Sequence, residues 1–144
     1  MTDKFVVAYD GSPASERALK FSVDQAKRLD ASVIVVHVIE WLHYSFLTVE
    51  ENEQRHKRRT EEMDLARKSL LEPVAASLAD SGVKIEIVIR DGQVTESLVD
   101  LINQKNATQL FLGRTGQNGL SRLVFGSVVS NMAQVAPVPC TIVP

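Results

Sequence analysis

Apolar positions along this chain follow two rhythms. Short apolar runs at 4–9 (KFVVAY) and 32–39 (SVIVVHVI) read as strands buried on both faces. The alternating segment 83–90 (VKIEIVIR) predicts a third strand, and 108–113 (TQLFLG) and 138–143 (VPCTIV) a fourth and fifth. Helical spacing fills the gaps. Ser12 is a natural N-cap and Pro13 a first helical residue, after which Ala18, Leu19, Ser22, Ala26 and Leu29 share one face. A long charged stretch, 52–80, sets Met63, Ala66, Leu70, Val74 and Leu78 on one side. Pro73 inside it should kink or restart the helix, and the SGV at 81–83 should stop it. A helix at 95–106 turns Leu98, Leu101 and Ile102 inward, and a last one spans 127–136. Residues 40–51 form an aromatic-rich linker without an assigned element.

Strands alternating with helices imply an α/β fold with a doubly wound, five-stranded parallel sheet, helices on both faces and right-handed crossovers. Pro139 cannot donate to a ladder, which makes strand five an edge and agrees with the order 3-2-1-4-5. A length of 144 residues suits one domain, 1–144.

Composition narrows the function classes. With 16 basic and 18 acidic residues the net charge is −2, which disfavours nucleic-acid binding by clustered positive charge. One cysteine, Cys140, excludes an internal disulfide and fits a reducing compartment. The start of the chain lacks a signal-peptide pattern, and no run approaches the ~20 apolar residues of a membrane span. The expectation is a cytoplasmic protein with no membrane insertion.

Against this ordinary background, residues 113–127 (GRTGQNGLSRLVFGS) hold four glycines, two arginines and no acid. In doubly wound sheets a ligand sits beyond the carboxyl ends of the strands, where the strand order reverses. Here the reversal falls between strand one, ending at Asp10, and strand four, ending at Gly113. The loop spacing is Gly113-x2-Gly116-x9-Gly126-Ser127, with Ser127 opening the last helix. Bare N–H groups at a helix start favour an anion, Gly126 lets a phosphate approach, and the Ser127 hydroxyl adds a donor. Arg114 or Arg122 could neutralise charge or simply be solvated. There is no Gly-Lys-Ser/Thr anywhere, and no G-x-G-x-x-G after strand one.

The glycine spacing, the Asp10-Gly11-Ser12 that ends strand one, and HVIE at 37–40 together resemble the universal stress proteins over essentially the whole chain. The resemblance is to the nucleotide-binding branch, and it implies ATP with Mg²⁺ or Mn²⁺ as ligand. It puts Asp10 near the ribose or the metal–phosphate group, the Val38 backbone at the adenine edge and Gly113 at the ribose. It gives the phosphates to Gly116, Gly126, Ser127 and Val128, with Gly11, Ser12, Arg114 and Arg122 as further phosphate or loop contacts. Any metal would be held by Asp10 or through the phosphates alone. The resemblance also implies a homodimer, with edge strand five pairing antiparallel to its copy near Val138, Cys140 and Ile142.

The implied role is regulatory: adenine-nucleotide occupancy modulates a dimer or an unknown protein partner, with no catalytic residue. Two alternatives stand beside it, an adenine-nucleotide hydrolase or adenylyl-transfer enzyme and a nucleotide-free dimeric interaction protein. Individual residues also carry plainer readings. Asp10 could be a turn residue, His37 a satisfied core histidine and Cys140 a small core residue. Trp41, His43, Tyr44 and Phe46 could wall an adenine pocket, pack the linker or face a partner. The charged run 55–62 reads as a solvated helical face, and the three histidines show no metal spacing.

Overall fold

The computed structural model describes residues 2–40, 48–116 and 127–144. Its elements run β1 (Lys4–Ala8), α1 (Pro13–Leu29), β2 (Ser32–Ile39), α2 (Val49–Ala66), a π-helical turn (Arg67–Leu71) and α3 (Glu72–Ser77). They continue with β3 (Ile85–Asp91), α4 (Val94–Lys105), β4 (Gln109–Gly113), α5 (Ser127–Val135) and β5 (Cys140–Val143). The strands form one sheet in the order β3-β2-β1-β4-β5, every pair parallel. That is the architecture expected from the alternating pattern.

Strand parity divides the core. Phe5, Val7, Tyr9, Val33, Val35 and Phe111 face α1 and the buried Leu71. Val6, Ile34, Val36, Leu110 and Leu112 face α4 and α5, meeting Leu98, Ile102, Val129 and Met132. Each such side chain contributes roughly 1.5–3 kcal/mol when fully buried, so both faces are fully invested. Among the described residues no helix is long and apolar enough to cross a membrane.

Local chemistry explains where the boundaries differ from expectation. Thr48 and Glu51 form a reciprocal capping box, so α2 begins at Val49 rather than 52. Pro73 brings no N–H to the helix, and the chain widens just before it: Glu72 N–H reaches back to the Arg67 carbonyl in a π turn, after which α3 restarts. The widening makes Leu71 the fully buried contact, a residue outside the expected stripe, while Leu70, Val74 and Leu78 only pack against the core edge. α2 itself buries no residue. Leu29, expected inside, is 52% exposed at the end of α1, where Asp30 adopts a left-handed C-cap (φ 54°). β3 starts at Ile85 rather than 83, because Gly82 (φ 79°) and a Val83 N–H bond to Ser81 Oγ keep those residues in the turn. Pro139 precedes β5 instead of lying within it. Its carbonyl accepts from Leu110 N–H at 2.9 Å, and β5 is an edge as expected.

The crossover after β1 carries α1 over one face, and the connection after β4 leads to α5 on the other. With α1 and α5 on opposite faces, the ends of β1 and β4 are where a doubly wound sheet offers a ligand crevice.

Candidate functional site

One bank of this crevice is the turn from β1 into α1. Gly11 takes φ 79°, open to glycine at little cost, and turns the chain sharply after Asp10. The Ser12 N–H donates to Asp10 Oδ1 at 2.9 Å, so the aspartate does serve the turn. Ser12 Oγ caps α1 by accepting from Ser15 N–H at 3.2 Å. Ser15 Oγ–H donates to the Ser12 carbonyl at 3.0 Å and accepts from Asp10 N–H at 3.4 Å. Ser12 and Ser15 are both buried, and each uses its hydroxyl within this network. Ser15 was not among the expected site residues. The signal was in the sequence, since serine hydroxyls commonly bond backbone groups a few residues earlier.

The other bank is the end of β4. A Cβ on Gly113 would lie 2.7 Å from the Ala14 carbonyl carbon and 2.8 Å from Ser15 N, so α1 docks on the bare backbone there. A Cβ on Gly116 would sit 3.3 Å from Asp10 Oδ2. Gly116 thus stands against the Asp10 carboxylate, and these two sequence landmarks meet in space. Arg114 is exposed, with its N–H donating to the Val143 carbonyl at 2.7 Å. Ser127 is exposed at the start of α5, and Val128 is half-buried against the α4–α5 core. Gly126 and Arg122 lie outside the described residues, as do Trp41, His43, Tyr44 and Phe46.

Val38, near the end of β2, pairs in register with Arg90 and packs half-buried on the α4–α5 side. His37 is half-buried with Nδ1 2.8 Å from the Tyr9 carbonyl, which supplies the expected satisfaction. Burial, and then the negative charges of Glu16 and Asp10, push the Tyr9 phenol above its ordinary value. At the far edge Val138, Cys140 and Ile142 are half-buried against the same core as Val38; Val138 precedes β5. Burial raises the Cys140 thiol, in keeping with a packed residue.

Among the described residues, no group of three or more His, Cys, Asp or Glu could hold a metal. A groove of about 470 Å³ opens between α4 and α5, lined by Gln93, Glu96, Asp100, Asn131 and Gln134 among others, but no motif residue lines it. A contact that sequence reasoning missed lies at the end of β3, where Arg59 of α2 pairs with Asp91 at 3.0 Å.

The model of the universal stress protein family matches residues 1–144. The chain belongs to that family. A universal stress protein of Methanocaldococcus jannaschii is 28% identical over 140 residues, spanning 97% of this chain and 81% of that relative. UspA of Lactobacillus plantarum has a similar fold, with a TM-score of 0.83 at 21% identity over 99% of this chain and 97% of its own. A universal stress protein solved in complex with cAMP is also similar, with a TM-score of 0.70 at 21% identity, covering 99% of this chain and 96% of that one.

Proposed function

We propose that this universal stress protein binds an adenine nucleotide, ATP with Mg²⁺ or Mn²⁺, and that occupancy alters its contacts with a second copy or a regulatory partner. One observation carries the reading: Gly116 is held 3.3 Å, measured from the Cβ it lacks, from Asp10 Oδ2 at the point where the connections diverge. Backbone without a side chain, facing a carboxylate, suits a metal–phosphate group. Mg²⁺ is commonly held by one or two carboxylates together with substrate phosphates, so Asp10 with the phosphate oxygens is a sufficient set. The fold neighbour solved with cAMP supports the adenine class.

In this reading Val38 offers backbone to the adenine and Gly113 borders the ribose. Gly116, Gly126, Ser127 and Val128 hold the phosphates, and Gly11, Ser12, Arg114 and Arg122 are accessory contacts. No residue is assigned as a nucleophile. The protein works as a single nucleotide-binding domain, 1–144, in the cytoplasm. Among the described residues β5 is an edge strand, and two copies join across it near Val138, Cys140 and Ile142.

Titration calorimetry with ATP, ADP, AMP and cAMP, with and without Mg²⁺, tests the ligand. Binding that Mg²⁺ strengthens for ATP, and that Gly116→Ala or Gly126→Leu weakens, is expected. Indifference to both substitutions sinks the reading. Light scattering at micromolar protein checks the dimer, and a monomer there removes that part.

A further inference from the structure

We infer that Arg59 is a positioning residue for the nucleotide crevice, holding α2 as the wall at its β2–β3 end; the inference rests on the proposed nucleotide binding. α2 buries none of its residues, yet one stripe of it (Arg55, Arg59, Met63 and Ala66) is half-buried and the remainder exposed. Residues four or three apart stack on one helical face, so this stripe is the side turned to the sheet. Two of its members are arginines from the charged run at 55–62. That run is therefore more than a solvated surface.

The Arg59 Nη1 to Asp91 Oδ2 distance is 3.0 Å, with the side chains 34% and 30% exposed. Asp91 ends β3 and stands in register with Ile39 at the end of β2, one residue beyond Val38. Gly92 N–H returns to the Ile39 carbonyl at 2.9 Å and fixes that corner. The ion pair thus ties a helix with little apolar anchorage to the strand ends beside the position proposed for adenine. A partly exposed pair of this kind shifts a local equilibrium by about two- to five-fold.

The test compares Arg59→Met, Asp91→Asn and the reversed pair Arg59→Asp/Asp91→Arg with the unaltered protein. Amide hydrogen exchange across 49–66 and the dissociation rate of N-methylanthraniloyl-ATP are read together. Both single variants should speed exchange in 49–66 by about two- to five-fold and nucleotide release by a similar factor, and the reversed pair should restore both. Unchanged exchange in the single variants overturns the inference. So does faster exchange with unchanged release, which reduces the pair to a structural tie, or failure of the reversed pair to restore either. If the unaltered protein binds no analogue, the nucleotide reading itself fails; unchanged exchange in Arg59→Met sinks only the role given to Arg59.

Discussion

The two banks of the crevice are built by opposite means. On the β1 side the polar side chains of the turn bond neighbouring backbone: Asp10 accepts from the Ser12 amide, Ser12 accepts from the Ser15 amide, and Ser15 donates to the Ser12 carbonyl. On the β4 side, shape comes from side chains that are missing, with Gly113 against α1 and Gly116 against Asp10. The first bank resists change because buried polar groups are costly to orphan. The second resists it because there is no space. The contrast also separates two glycines that a motif treats alike. Gly113 is required by packing whether or not a ligand binds, whereas among the described residues Gly116 meets only the end of an aspartate.

Substitutions can sharpen or break this contrast. The largest effect is expected from Gly113→Ala, whose new methyl would strike backbone atoms on α1. The loss should reach the upper part of the roughly 1–3 kcal/mol typical of overpacking, read as a urea midpoint. A loss under ~0.5 kcal/mol, the scale of an ordinary surface change, would show that α1 does not need the bare backbone. Ser15→Ala comes next, at ~1–3 kcal/mol for the two hydrogen bonds that its buried hydroxyl makes. It should exceed Ser12→Ala, at ~1 kcal/mol for a lost cap; the reverse order would mean that Ser15 does not knit the turn.

Gly116→Ala should split the readouts. Stability should move by less than ~0.5 kcal/mol, while nucleotide affinity falls roughly tenfold, equivalent to ~1.4 kcal/mol. Equal effects from Gly113→Ala and Gly116→Ala on folding would erase the distinction drawn here. The smallest effect concerns pH. The Tyr9 phenol is raised in the folded state, so above the ordinary value of 10.0 the unfolded chain releases its proton first. Folding stability contributed by Tyr9 is complete below that pH and declines as pH climbs through the raised value. Tyr9→Phe should flatten that decline in alkaline unfolding curves; an unchanged slope contradicts it.

Much of this architecture was legible because patterns of apolar residues report burial directly. The runs around Val6 and Ile34 had to be central, and Pro139 pointed to an edge. Asp10 and the glycine loop could be placed together because the order 3-2-1-4-5, with which Pro139 at an edge agrees, sets strands one and four side by side. Contacts that depend on a partner distant in sequence were hidden. Leu71 looked like a neighbour of the Leu70 stripe until Pro73 widened the helix. Leu29 fitted the helical period, but it is the last residue of α1, beside the left-handed Asp30 cap, and stays exposed. Arg59 is one basic residue in a run of them, and only the position of Asp91 sets it apart. The close fit of Gly113 to Ala14 could not be read from the spacing of glycines, which are equally suited to turns, ligands and tight packing.

The widened turn at Arg67–Leu71 has one more consequence. It accommodates a surplus residue within an otherwise continuous rod. Deleting one residue there would restore the regular winding and leave the two flanks nearly in phase, because the wide turn takes up its extra residue without advancing the helix by a full step. Deleting a residue from the regular turns between position 59 and that turn would instead rotate the upstream part by ~100° relative to everything downstream. The guanidinium at position 59 would then swing away from its carboxylate partner, although neither had been altered. The geometry of one rim of the cleft is therefore phased by a stretch of chain that never reaches it.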